Sequence, residues 1–253
     1  MFRADGSVVV NGERAFDASS LLSLSRTHLQ ELGFELIRAR HHGGLALLGD
    51  DLADYWSFVA LLSRESKALD SWIKENNPVP TYLLLFESVV RGPADLPNWR
   101  GLLLTRHARP LSSAVAAAFA YLEGLCRRSC STHVDAAGNV LRQFSVPRPT
   151  ANSKLYSVGS RVNNLGDVLW LTAELSAPDT RTVLNSIFAE VAREKFFDWR
   201  NGSLHGSTEE WAATNAVFCT LSVLVLEHLD VDDARANLLR GVQIDRIARG
   251  DIL

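Results

Sequence analysis

A chain of 253 residues, 47% hydrophobic and 22% charged, has enough apolar material for a buried core and too little charge bias for global disorder. A net charge of −3 argues against uniform coating of nucleic acid, and three cysteines are too few for a disulfide framework. No apolar run reaches the roughly 18–20 residues that span a bilayer, and the start of the chain lacks a hydrophobic signal core, so a soluble, cytoplasmic protein with no membrane partner is expected.

Residues 7–16, SVVVNGERAF, read as a β-hairpin, with Asn11-Gly12 suited to a tight turn. Residues 18–33 carry leucines at helical spacing. FELIRAR (34–40) and LALL (45–48) flank His-His-Gly-Gly and fit a second hairpin. A long helix is expected over 51–76, from Tyr55, Phe58, Val59, Leu62 and their periodic neighbours. Residues 81–107 fit strand or helix equally.

From Pro110 the helical signal strengthens. Pro110 opens a run of strong helix formers. Asp135-Ala-Ala-Gly138 marks a turn in a polar connection. Apolar periodicity predicts helices over 153–175, 180–199, 208–229 and 232–247. The third of these is apolar on nearly every side, which belongs in a core. Ser207-Thr-Glu-Glu210 is a capping box that would start it. The expected boundary lies near residue 110, with a small mixed region over 1–109 and a helical bundle over 110–253.

The charge is concentrated. Arg100 to Arg161 holds nine cations, Arg127 and Arg128 among them, against two acids, Glu123 and Asp135. A basic segment on an acidic chain fits a local phosphate-binding face. It equally fits a solvated surface paired with acids elsewhere.

DWRNGSLHGS, residues 198–207, joins two apolar segments and carries the main chemical signal. On an unbroken helix Arg200 and His205 would lie roughly 140° apart around the axis. Gly202 is the expected break, since glycine closes a helix without Cβ strain. A bend there would let both side chains meet. The next helix start, with its free N–H groups and Ser207, can hold an anion. A fixed cation beside an imidazole suits phosphodiester cleavage. Trp199 could stack a base or pack against the bundle. A plain helix–helix turn, with Arg200 as a C-terminal cap, is the alternative.

Arg200-Asn201-Gly-Ser-Leu-His205-Gly206 resembles the signature of the HEPN superfamily: Arg, a polar residue that is often Asn, three to five variable positions, then His. The likeness spans seven residues by motif and about 110–230 by architecture. It implies a mainly α fold with a C-terminal up-and-down, HEPN-like helical bundle beside the smaller N-terminal mixed α/β region. It implies a metal-independent endoribonuclease, a hydrolase without cofactor, in a bacterial toxin–antitoxin or antiphage defence system. Arg200 would stabilise phosphate charge, His205 would exchange the proton and Asn201 would orient. Arg127, Arg128, Trp199 and Ser207 are the candidate RNA contacts. The expected partners are RNA, a second copy in a homodimer, and an antitoxin or defence protein. One subgroup carries Tyr where this chain has Ser207, so its regulation by modification does not transfer. Some members are inactive and serve as nucleotide-, RNA- or partner-binding modules.

Cys126, Cys130 and His133 have a spacing that could hold zinc, which would make a third class, a zinc-dependent enzyme. Two small residues packed on a helix face explain the cysteines better, with Arg127 and Arg128 between them opposing a cation. Asp50-Asp51 and Asp230-Val-Asp-Asp233 read as helix caps.

Overall fold

The computed structural model describes residues 18–41, 55, 58–59, 62–63, 65–66, 110–148, 152–204 and 210–248. The chain divides into two compact units, one drawn from Met1–Val90 with Ser222–Leu253, the other from Arg91–Leu221. The described residues are mainly helical, with eight helices and one two-stranded sheet. None of these helices is long and apolar enough to cross a membrane. The expected hairpin at 7–16, the LALL segment and the ambiguous stretch 81–107 lie outside the described residues.

In the first unit, α1 (Ala18–Ser23) and α2 (Arg26–His41) replace the single expected helix over 18–33. Ser25 makes the new start: its Oγ accepts the His28 N–H at 3.2 Å and its carbonyl accepts the Leu29 N–H at 2.9 Å. FELIRAR is not a strand but the continuation of α2. Leu29, Leu32, Leu36 and Ile37 fall on one helical face and are buried there, a pattern that strand alternation cannot satisfy. Tyr55, Phe58, Val59 and Leu62 are buried and helical, as the periodicity over 51–76 predicts. Gly33 permits a close approach, since a Cβ there would stand 2.7 Å from the Tyr55 hydroxyl. Gln30 donates to the carbonyl of Val223 at 2.9 Å, joining α2 to the end of the long core helix described below.

The second unit begins with α3 (Pro110–Ser129), which buries Val115, Phe119, Leu122, Leu125 and Cys126. Asp135 then turns the chain: its carboxylate accepts the Asn139 N–H at 2.7 Å and side-chain amide at 2.8 Å. Gly138 closes this turn at a φ of +89°. β1 (Phe144–Val146) and β2 (Lys154–Tyr156) pair antiparallel, with Phe144 opposite Tyr156 and Val146 opposite Lys154.

The expected helix over 153–175 is therefore wrong in its first half. Leu155, Tyr156, Val158 and Val162 imitate helical spacing, but Gly159 sits at a φ of +82° and the segment pairs as a strand arm. The helix is α4 (Leu165–Leu175), started by the Asn164 side chain, which accepts the Asp167 N–H. Buried Asp167 then ties the sheet to this helix. It accepts from Tyr156 Oη at 2.6 Å and Arg148 Nη2 at 2.7 Å, with Lys154 Nζ at 3.6 Å.

The expected helix over 180–199 is two helices, α5 (Pro178–Glu190) and α6 (Arg193–Leu204). Val191 leaves helical geometry and turns extended at φ −121° and ψ 104°, while its side chain stays buried. α4 packs against α3, α5 and α6, and α6 packs on α3. Gly166 brings α4 against the start of α6, where a Cβ would stand 2.8 Å from the Arg193 carbonyl oxygen. α7 (Glu210–Glu227) is buried all round from Ala216 to Leu226, as its largely apolar composition predicts. α8 (Val231–Ala248) is capped by Asp230, whose carboxylate accepts the Asp233 N–H at 3.0 Å.

Candidate functional site

α6 carries Trp199, Arg200 and Asn201 near its C-terminal end and packs on α3, which carries Glu123, Arg127 and Arg128. Helical periodicity decides which of these can meet. Glu123 and Arg127 lie four apart on α3 and share one face. Their contact is tight, Arg127 Nη2 to Glu123 Oε1 at 2.5 Å. The second carboxylate oxygen takes Arg200: Nη2 stands 2.9 Å from Glu123 Oε2. One carboxylate thus bridges two guanidinium groups across the α3–α6 interface and leaves one positive charge in surplus.

The two arginines differ in what remains. Arg127 is 14% exposed and gives its Nη1 to the carbonyl of Ala136 at 3.0 Å. It braces α3 against the Asp135–Gly138 turn, so its guanidinium is committed within the protein rather than offered to RNA. Arg200 is 31% exposed. Among the described residues its other partner is the neighbouring Asn201, whose side-chain oxygen lies at a long 3.5 Å. A guanidinium has five N–H donors in a planar fork. With one amino group on Glu123, the rest of the Arg200 guanidinium has no acidic partner among the described residues.

Trp199 does not supply a stacking surface. It is 7% exposed and packs against Phe196, with ring centroids 6.1 Å apart. Lys195 lies over its ring at 6.0 Å. Of the two readings its position allowed, burial is the one observed. Arg128 is partly exposed on the last turn of α3. His205 and Ser207 lie outside the described residues.

Gly202 is not the break. α6 continues through Asn201-Gly202 to Leu204, and Ser203 returns its hydroxyl to the Arg200 carbonyl at 2.8 Å, a helical side-chain contact. Arg200 therefore stands on a regular helix, with Gly202 inside it.

The cysteine group is structural. Cys126 and Cys130 are fully buried, and Cys130 Sγ meets Thr172 Oγ1 at 3.2 Å. Burial holds the Cys126 thiol far above its ordinary range and pushes Cys130 up to about 12. Zinc needs thiolates, which this environment disfavours. Among the described residues no group of three metal-binding side chains converges. His133 is held by Thr132, with Nδ1 at 2.9 Å from its hydroxyl.

Comparison of the chain with protein-family models, with curated proteins and with solved structures finds no match. The functional reading therefore rests on the residues themselves.

Two participants escape a reading by motif. Glu123 counts in the sequence only as an acid within a basic segment. Its i,i+4 relation to Arg127 is readable, but its contact with Arg200 spans two helices and has no local signature. Asp167 is readable as an acid in a first helical turn, and nothing local shows that Arg148, Tyr156 and Lys154 will converge on it.

Proposed function

We propose that the protein is a metal-independent endoribonuclease that cleaves RNA by attack of a 2′-hydroxyl on the adjacent phosphorus. Arg200 is the phosphate-binding cation, His205 the proton carrier and Asn201 the polar neighbour. The O2′–P bond forms as the P–O5′ bond breaks, leaving a 2′,3′-cyclic phosphate and a 5′-hydroxyl. The imidazole accepts the proton of the attacking hydroxyl or supplies one to the leaving oxygen. Arg200 stabilises the charge that accumulates on the phosphorane oxygens. A homodimer bringing two Arg–His pairs into one cleft would supply both proton transfers. HEPN-like members of toxin–antitoxin and antiphage systems are the class this reading places it in.

One observation carries the reading. The arginine of the Arg-Asn-x3-His pattern is surface-accessible at the end of a helix within a helical unit, and its orientation is fixed by Glu123. A fixed, half-free guanidinium is what a phosphate site requires. The same ion pair favours a second reading, in which Arg200 fastens α6 to α3 and the unit is a non-cleaving module that binds RNA, a nucleotide or a partner.

The experiment is cleavage of RNA by the purified chain, with and without EDTA, beside Arg200→Ala and His205→Ala. Cleavage that persists in EDTA and vanishes in both variants is the expected result. Absence of cleavage in every condition selects the binding module. Loss with EDTA alone rejects a metal-independent mechanism.

A further inference from the structure

The strand arm of the second unit carries no acid over a long stretch. From Ala136 through Gly166 there is no Asp or Glu, while Arg142, Arg148, Lys154 and Arg161 are all present. Two of these cations are engaged at Asp167: Arg148 by a 2.7 Å pair and Lys154 at 3.6 Å. The other two are not. Arg142 and Arg161 are exposed and form no ion pair among the described residues. Arg161 gives only its Nε, to the Ala137 carbonyl at 3.2 Å.

The same arm exposes aliphatic side chains. Leu155 pairs with Ser145 on the outward face of the sheet, opposite in sense to buried Phe144 and Tyr156, and is 57% exposed. Val140 exchanges backbone bonds with Gly159 and Ser160, so Leu141 and Val158 come at one level of the arm. They are 53% and 66% exposed. Apolar side chains this open, on an arm that also exposes two arginines with no ion pair among the described residues, give it an amphipathic surface.

The arm is continuous with the candidate site. Arg161 holds the Ala137 carbonyl and Arg127 holds the neighbouring Ala136 carbonyl. Arg127 shares Glu123 with Arg200. A chain of direct contacts therefore links Arg200 of α6 to the strand arm.

We propose that this arm is a docking surface for single-stranded RNA, with Arg142 and Arg161 on the phosphates and Leu141, Leu155 and Val158 against the faces of unstacked bases. The inference rests on the RNA-cleaving reading and adds the path by which substrate is held outside the cleavage point. Charge complementarity selects a polyanion, and exposed apolar side chains beside the arginines give it a surface for the apolar faces of bases that a bare phosphate could not use.

The test uses the full chain and a labelled single-stranded oligonucleotide of 2′-O-methyl RNA, which lacks the attacking hydroxyl and so separates binding from cleavage. Affinity is measured against salt for the wild type, for Arg142→Gln with Arg161→Gln, and for Leu155→Thr with Val158→Thr. The arginine variant should flatten the slope of log affinity against log salt by about 1.4, at about 0.7 per single-strand phosphate contact. The threonine variant keeps strand propensity and should weaken binding roughly fivefold at an unchanged slope. Unaltered circular dichroism shows that both variants are folded. Unchanged affinity and slope in both overturns the arm, even if cleavage of ordinary RNA is lost in Arg200→Ala and His205→Ala. Binding without cleavage by the wild type overturns the nuclease, while the arm is still decided by the slope. No binding by the wild type at low salt overturns the RNA assignment and turns the face toward an acidic protein.

Discussion

Glu123 does two jobs that separate substitutions can resolve. As an ion-pair partner it holds α3 to α6; as an orienting group it fixes which edge of Arg200 faces outward. Arg200 is about a third exposed, so solvent screens part of its attraction to the carboxylate. Glu123→Gln should therefore cost roughly 1–2 kcal/mol, below the value of a fully buried broken pair. A double-mutant cycle of Glu123→Gln with Arg200→Gln, read by urea denaturation, should give a coupling of about 1 kcal/mol. A coupling near zero would mean that the contact fixes nothing. On the ribonuclease reading, Glu123→Gln also lowers kcat more than it raises KM, because a misoriented guanidinium still attracts RNA but meets the transition state poorly. Glu123→Asp, which keeps the charge on a shorter stem, should recover part of that loss.

At the scale of elements, Gly202 is the instructive residue. In sequence it is the natural place to end a helix, and the meeting of Arg200 with His205 depended on that break. In the structure it lies inside α6, with no positive φ, and the helix runs on through Leu204. Gly202→Ala should then stabilise the protein by about 0.5–1 kcal/mol, since alanine in a helix loses less backbone entropy than glycine. A left-handed Gly202 would give the opposite sign, so one thermal melt distinguishes the two geometries. The elements that were legible have a burial pattern written into their composition: α7 is apolar on nearly every side, and α2 carries its stripe at Leu29, Leu32, Leu36 and Ile37. Those that were not depend on contacts distant in sequence. In and just after β2, Leu155 and Val158 imitate helical core spacing by residue type, although both are exposed. The break at Val191 has neither glycine nor proline to announce it. Of the candidate site, Arg200 and Asn201 were legible as a motif, whereas the partner that orients Arg200 comes from another helix.

Across the molecule, the three cysteines report on how the second unit is held together. Cys126, Cys130 and Cys219 are all free thiols, all buried, and all within Arg91–Leu221. Burial raises the Cys126 thiol well above the ordinary range and Cys130 to about 12, so both remain protonated at pH 8 and lack the thiolate that reagents attack. The sign follows from the shift. A thiol whose folded pKa is raised above its unfolded value contributes stability that is full below the unfolded pKa and declines as pH rises toward the folded one. Stability of this unit should accordingly fall above about pH 9, as the unfolded thiols begin to ionise while the folded ones do not. A disulfide-type thiol reagent should label none of the three in the folded chain at pH 8 and all three in denaturant. The labelling midpoint should follow the loss of helical circular dichroism from this unit, because Cys126 and Cys130 pack through Thr172 onto α4 and cannot be reached while that helix is docked. Rapid labelling of Cys126 or Cys130 in the folded chain would show instead that the α3–α4 contact opens on its own. Glu123, also on α3, would then be a movable support, and Arg200 would lose the fixed orientation that the cleavage reading requires.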